Sequence, residues 1–176
     1  MKAYWCRTCG NGRNFGDRLG PTLLFRAGVI VGWAPPAEAD IVTAGSVLSK
    51  FPSSWTGTVL GTGLIESTMR ASLPRARILA VRGARTRDAA GLPLSTPLGD
   101  PGILVADLLD EPRVQPTDGY TAILPHYIDR TMRDRHPKAR LIDILDDPTR
   151  IVRQIAGAAM VYTSSHSKSE LELSQT

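Results

Sequence analysis

Short apolar runs alternate with segments of helical periodicity along most of this chain, and this alternation is the feature that most restricts its fold. Each apolar run is bounded by Gly, Pro or polar residues, which is typical of strands buried in a parallel sheet. The predicted strands cover residues 3–7, 29–33, 41–44, 58–61, 78–81, 120–124, 140–145 and 161–164. The pattern therefore predicts an α/β protein built on Rossmann-like parallel sheets.

Helix signals separate these runs. Asp17 is the predicted N-cap of a first helix, which ends at Gly28. Asp147 and Pro148 mark the start of a last helix, because aspartate caps helices and proline suits their first turn. Shorter helices are predicted at residues 84–90 and 131–136.

A segment with two prolines and few apolar side chains, residues 111–119, predicts a linker. The N-terminal lobe would cover residues 1–110, and residues 120–176 would form a partial C-terminal lobe with a polar tail. A lobe as small as the second buries too little surface to be stable by itself. We therefore expect it to need a further packing partner.

Composition and charge exclude several classes of protein. The 176 residues are 42% hydrophobic and 22% charged, as in ordinary globular domains. No apolar run approaches the roughly 20 residues of a membrane span, and Met1 opens no signal peptide, so we expect a cytoplasmic protein. The formal net charge of +4 indicates an anionic partner, but the basic residues are scattered, so nucleic acid is not favoured.

The two cysteines, Cys6 and Cys9, form a CxxC motif. This motif supplies at most half of a tetrahedral zinc site, and the loop that follows lacks the helix start of a redox motif. We therefore expect ordinary thiols near a strand end, without a metal or redox role.

Ligands of open α/β sheets bind beyond the carboxyl ends of the strands, so the loops after strands are the candidate sites. The first loop, residues 11–17, contains Asn14, Gly16 and Asp17. Its glycines permit close approach of a ligand, and the following helix directs its positive end at the loop. Helix capping alone would also explain Asp17.

The second loop follows the strand at 78–81 and contains Arg82 and Arg85 at the start of a short helix. Guanidinium groups near helix amides suit a phosphate or carboxylate ligand. A solvated, charged helix face is the alternative interpretation.

The remaining candidates follow later strands. His126 could act as an acid or base in a cleft, or it could be a surface histidine. Ser164, Ser165 and His166 follow the last strand, where they could equally be its polar end. Asp100 lies in a predicted turn, and it could also stand at the mouth of the sheet.

Taken in order, these segments resemble the polysaccharide pyruvyl transferase family. The matching segments are Asn14-Phe15-Gly16-Asp17, Leu79-Ala80-Val81-Arg82-Gly83, Leu98-Gly99-Asp100-Pro101-Gly102, Leu124-Pro125-His126-Tyr127, Leu141-Ile142-Asp143-Ile144 and Gln154-Ile155-Ala156. Each segment is short, and their common order over most of the chain carries the resemblance.

The resemblance implies a glycosyltransferase-B-like fold and transfer of pyruvate from phosphoenolpyruvate to two hydroxyls of a sugar or glycan precursor, as a ketal. Phosphoenolpyruvate is then the co-substrate, with no other cofactor, and no residue is assigned as a metal ligand. Arg82 is the first candidate to bind its carboxylate and phosphate, and Arg85 is a possible second. The implied catalytic residues are His166, His126 and Asp17. Further implied substrate-binding residues are Asn14, Gly16, Asp100, Ser164 and Ser165.

The chain departs from the family pattern near its end. The family reads Ser-Ser-Leu-His-Gly and continues, whereas His166 directly follows Ser165 here and the tail soon stops. This is what we expect of a truncated second lobe, which would expose apolar surface and favour a homo-oligomer. Two alternatives stay open: a glycosyltransferase that uses a nucleotide sugar, and a non-catalytic remnant that binds an anion or a partner.

Overall fold

The computed structural model describes residues 1–8, 14–66, 68–108, 119–126 and 132–164, with the side chains of residues 132 and 133 left aside. The helices are α1 (Phe15–Arg26), α2 (Ala84–Ala89), α3 (Met132–Arg135) and α4 (Pro148–Ala156). The strands are β1 (Lys2–Tyr4), β2 (Gly32–Trp33), β3 (Ile41–Val42), β4 (Thr58–Leu60), β5 (Arg77–Ala80), β6 (Tyr120–Leu124), β7 (Arg140–Leu141) and β8 (Ala158–Thr163).

The strands form two sheets in which every pairing is parallel. The first sheet has the order β2-β1-β3-β4-β5, and the second has the order β7-β6-β8. In the first sheet Ala3 lies opposite Ile41, which in turn lies opposite Thr58. The prediction of an α/β protein with parallel sheets is confirmed.

Two boundaries in the second sheet differ from the prediction. The strand predicted at 140–145 ends after Leu141, because the Asp143 carboxylate accepts a hydrogen bond from the Leu145 amide, at 2.9 Å, and holds a turn. The strand predicted at 161–164 begins earlier, at Ala158, because α4 ends at Ala156 and Gly157 caps it. Ala159 therefore belongs to this strand and not to the last helix.

Each sheet has its own apolar core. Val42, Val59 and Val81 are fully buried at the centre of the first core. The rings of Phe51 and Trp55 pack there with centroids 4.3 Å apart. In the second core the buried residues are Ala122, Leu124, Ile142 and Ile151.

A third apolar cluster joins the two sheets. Leu19 of α1, Ala44, Leu108 and Val152 of α4 pack together in it. The Phe15 amide at the start of α1 also donates to the Ile144 carbonyl, beyond β7, at 3.0 Å. The small second sheet thus packs on the first through α1 and α4, which supplies the packing partner that its size requires.

Helix α1 lies very close to the loop after β3. Gly20 is buried, and a Cβ atom at this position would overlap the hydroxyl of Thr43. Pro21 stands inside the helix and has no N–H to donate to the Asp17 carbonyl one turn earlier. The close contact brings the first turn of α1 to the carboxyl edge of the first sheet.

Three other predictions concern the cysteines, the linker and membrane spans. Cys6 is buried and disulfide-bonded, so the expectation of an ordinary thiol is wrong for Cys6, and Cys9 lies outside the described residues. Residues 111–118 of the predicted linker also lie outside them. In the described part of the chain, no helix has the length and apolar character to cross a membrane.

Candidate functional site

The loops after β3, β4 and β5 interlock at the carboxyl edge of the first sheet. The Thr62 hydroxyl and the Gly63 amide both donate to the Gly45 carbonyl, at 2.8 and 2.9 Å. The Arg82 amide donates in turn to the Thr62 carbonyl at 3.1 Å. The backbone at this edge is therefore fixed by hydrogen bonds that run from one loop to the next.

Arg82 extends from the end of β5 across this edge. Its Nη1 donates to the Ser46 hydroxyl at 2.7 Å, and its Nη2 donates to the Leu64 carbonyl at 2.8 Å. The guanidinium lies over Gly63, where a Cβ atom would come within 2.7 Å of its Cζ. Among the described residues no carboxylate pairs with Arg82, so neutral oxygens hold its positive charge in place.

Asp17 approaches the same loop from the first turn of α1, and it is not the N-cap of that helix. Asn14 is the cap, because its side-chain oxygen accepts from the Gly16 amide at 2.9 Å. The Oδ1 atom of Asp17 lies 3.0 Å from the position that a Cβ atom on Gly45 would occupy. Gly45 also has a positive φ of 93°, a conformation that side chains disfavour.

Burial changes the acidity of Asp17. Loss of solvent around the carboxyl raises its pKa from 3.8 to about 6, although the positive charge of Lys50 acts in the opposite direction. A carboxyl with a pKa near 6 is present in both protonation states close to neutral pH. Asp17 can therefore give and take a proton at this edge.

The carboxyl of Asp17 and the guanidinium of Arg82 meet consecutive residues of one loop, Gly45 and Ser46. The sequence predicted both charged residues as site residues, but it did not predict Ser46, Gly63 or Lys50 as such. A usable signal was available for two of these, because Gly45-Ser46 and Gly61-Thr62-Gly63 directly follow strands.

The other arginines near Arg82 have different surroundings. Arg85 is exposed on α2, and Arg87 forms an ion pair with Asp88 at 2.9 Å. Thr86 is buried and accepts from the Leu64 amide at 3.3 Å. Helix α2 has only six residues and no side-chain cap. The side-chain hydrogen bonds of Arg82 thus run to the loops after β3 and β4.

Asp100 lies in a turn at the same edge and is exposed. Its Oδ1 accepts from the Gly102 amide at 2.8 Å, which explains it as a turn residue. The turn reaches the sheet because the Gly99 amide donates to the Val81 carbonyl at 2.9 Å, and because Pro101 packs against Gly61. Both interpretations of Asp100, turn residue and residue at the sheet mouth, agree with this position.

The second sheet brings His126 and Ser164 together. They follow β6 and β8, which are neighbours, and the His126 amide donates to the Ser164 hydroxyl at 2.9 Å. Ser165 and His166 lie outside the described residues. Within the described residues, no group of three or more His, Cys, Asp or Glu side chains could hold a metal ion.

The N-terminal turn of α1 lies between the carboxyl edges of both sheets. Phe15 contacts Ile144, which follows β7, while Asp17 lies beside the position of a Cβ atom on Gly45, which follows β3. Arg18 reaches the Asp147 carboxylate, with an N to O distance of 3.9 Å. The loops that end strands in the two sheets are therefore neighbours around one helix end.

No protein-family model, no characterised protein and no solved structure matches this chain. The structure itself shows an α/β protein with two parallel sheets, in which the charged side chains of Asp17 and Arg82 lie at the carboxyl edge of the first sheet.

Proposed function

We propose that this chain is a pyruvyl transferase, which moves pyruvate from phosphoenolpyruvate onto two hydroxyls of a sugar in a polysaccharide or glycan precursor. Its two sheets would then be the Rossmann-like lobes of a glycosyltransferase-B-like fold. The observation that carries the proposal is that Asp17, with a pKa of about 6, and Arg82 lie beside consecutive residues, Gly45 and Ser46, of one loop. The motif order described above supports the same reaction.

The donor is a small molecule with a carboxylate and a phosphate. Arginine suits both groups, because its planar fork donates two parallel hydrogen bonds to either anion. Arg82 is held by the neutral oxygens of Ser46 and Leu64, so its charge is available to an anion. The Ser46 hydroxyl would then contact the same ligand.

The chemistry needs an acid and a base in turn. Protonation of the methylene carbon of phosphoenolpyruvate by Asp17 allows the first sugar hydroxyl to form a bond to the central carbon. That hydroxyl returns its proton to Asp17. The second hydroxyl then forms the other C–O bond, and phosphate leaves with the proton of that hydroxyl, which completes the ketal. A pKa near 6 suits a group that must both donate and accept.

Binding of phosphoenolpyruvate tests the donor site. We expect saturating phosphoenolpyruvate to raise the melting temperature of the wild-type protein by several degrees, because a ligand that binds only the folded state stabilises it. Arg82→Ala should abolish this rise. Arg77→Ala is the matched control, since Arg77 is exposed at the opposite, amino end of the same strand. A thermal-shift series with all three proteins makes the measurement.

Release of phosphate from phosphoenolpyruvate, measured with a panel of glycans, then tests turnover. A wild-type protein that responds to nucleotide sugars and not to phosphoenolpyruvate would be a glycosyltransferase instead. An equal response of Arg82→Ala and the wild type would contradict the donor site.

A further inference from the structure

A second cluster at the carboxyl edge of the first sheet has no part in the donor site. Trp5 directly follows β1, and Trp33 is the last residue of β2. The two strands pair in parallel with Ala3 opposite Trp33, so both indoles emerge at the same end of the sheet. Arg7 follows two residues after Trp5. We name Trp5, Arg7 and Trp33 the aromatic patch.

The aromatic patch is held together by its own contacts. The Trp33 indole N–H donates to the Trp5 carbonyl at 3.0 Å, which fixes the orientation of the ring. The Arg7 guanidinium carbon lies 4.4 Å from the centre of the Trp33 ring and 5.4 Å from that of Trp5. The Trp33 ring also packs near buried Tyr4, with centroids 6.4 Å apart. The rings are therefore positioned before any ligand arrives.

The charge on this patch is available to a ligand. Arg7 is exposed, both indoles are half-buried, and no carboxylate in the described part of the chain pairs with Arg7. A guanidinium that stacks on an indole uses its flat face and keeps its N–H groups at the rim for hydrogen bonds. The patch thus combines a flat apolar surface with several hydrogen-bond donors.

The position of the patch relates it to the donor site. In the first sheet β1 lies between β2 and β3, and neighbouring strands are about 4.8 Å apart. The carboxyl ends of β2, β1 and β3 therefore span about 10 Å, the width of one or two sugar rings. A ligand on the patch would extend toward the Gly45-Ser46 loop.

We propose that the aromatic patch binds the acceptor saccharide, and this inference rests on the proposed function. The apolar C–H face of a pyranose ring packs against the indoles, while its hydroxyls accept hydrogen bonds from Arg7. Binding here leaves the next hydroxyls directed at Asp17 and the bound donor.

Direct binding of saccharides tests the patch without phosphoenolpyruvate. The probes are oligosaccharides of galactose, mannose and glucose, titrated against the protein while tryptophan fluorescence is recorded. Trp55 is buried in the core and donates to the Ala39 carbonyl, so a change on binding reports Trp5 and Trp33. We expect Arg7→Ala and Trp5→Ala to weaken binding of the best saccharide by about tenfold, and Trp5→Phe to retain most of it.

The controls separate this inference from the donor site. Arg7→Ala should keep the thermal shift with phosphoenolpyruvate, whereas Arg82→Ala should lose that shift and keep saccharide binding. If a saccharide binds the aromatic patch but phosphoenolpyruvate does not bind the protein, the saccharide site is supported and the proposed pyruvyl transfer is contradicted. The inference is overturned if no saccharide binds, if the Arg7→Ala and Trp5→Ala variants bind like the wild type, or if only single-stranded oligonucleotides bind the patch.

Discussion

Asp17 is the residue in which the conflict between stability and function is clearest. Its carboxyl is half-buried in the first turn of α1, and this burial raises its pKa to about 6. Folding therefore disfavours the ionised form, which is the main form above that pH. A residue that lowers stability at neutral pH is expected where a function needs it.

Replacement of Asp17 by asparagine should separate the effect of this residue on stability from its effect on turnover. The folded chain holds this proton up to about pH 6, whereas the unfolded chain releases it near 3.8, so its contribution to stability falls as the pH rises through that window. Above pH 6 we expect Asp17→Asn to be more stable than the wild type, by about 1 to 3 kcal/mol. Urea unfolding at several pH values between 4 and 8 measures this difference.

The same variant should lose turnover. Without a group that exchanges protons, phosphate release should fall by at least about 100-fold, while the thermal shift with phosphoenolpyruvate persists. The wild type at matched pH is the control. Equal stability of the two proteins at pH 5 and pH 8 would show that the Asp17 carboxyl is not buried enough to titrate abnormally.

At the residue scale, Gly63 is important because it leaves space for the Arg82 side chain. Its lack of a side chain makes room for the Arg82 guanidinium, which would otherwise meet a Cβ atom at 2.7 Å. The direction of Arg82 across the sheet edge therefore depends on a residue that follows a different strand.

At the scale of elements, the start of α4 is fixed by a side-chain cap. The Asp147 carboxylate accepts from the amides of Thr149 and Arg150, at 3.0 and 3.3 Å. Pro148 follows at the first helical position, where a missing N–H is harmless. This helix carries Ile151 and Val152 into two different apolar clusters.

Loss of this cap should destabilise the protein measurably. We expect Asp147→Ala to lower the free energy of unfolding by about 1 kcal/mol, because two helix amides lose their acceptor. Asp147→Asn is the matched control, since it keeps an acceptor oxygen and removes only the exposed ion pair with Arg18. Chemical denaturation of the three proteins gives the comparison. Equal losses in both variants would instead make the ion pair the main contribution.

At the scale of the whole molecule, the two sheets are expected to unfold together. Val152 of α4 packs with Leu19 of α1 and with Leu108, while its neighbour Ile151 is fully buried in the second core. Elements that share one cluster lose their packing at the same time. The second sheet, with three strands, has too little core to outlast that loss.

The distribution of tryptophan makes this prediction testable. All three tryptophans, Trp5, Trp33 and Trp55, lie in the first sheet, directly after its strand β1 or in its core, whereas far-ultraviolet circular dichroism reports both sheets. We expect the two signals to change at the same denaturant concentration. Ile151→Ala should lower both midpoints together and reduce stability by about 2 to 5 kcal/mol.

The matched control for this variant is Arg150→Ala on the same helix, because Arg150 is exposed and its ion pair with Asp146 lies at the surface, so the midpoints should change far less. Two separate transitions, with only the circular dichroism signal affected by Ile151→Ala, would show that the sheets unfold independently.

The sequence by itself determined the class of fold and the approximate place of most elements. The alternation of apolar runs with helix signals led to the parallel strands, because burial on both faces leaves continuous apolar segments. It also singled out Asp17 and Arg82, since loops after strands hold the ligands of such sheets. Helix caps were less predictable: Asp17 and Asn14 can both cap, and only backbone geometry selected Asn14.

Only the tertiary structure decided which of these residues lie beside the same loop. The separation of Asp17 and Arg82 along the chain says nothing about their common loop, which depends on the order of β3, β4 and β5 and on the close packing at Gly20. The aromatic patch likewise needs β1 and β2 to be neighbours. Sequence patterns record local burial and turns, whereas a site is made by strand order and packing between distant segments, which no local pattern contains.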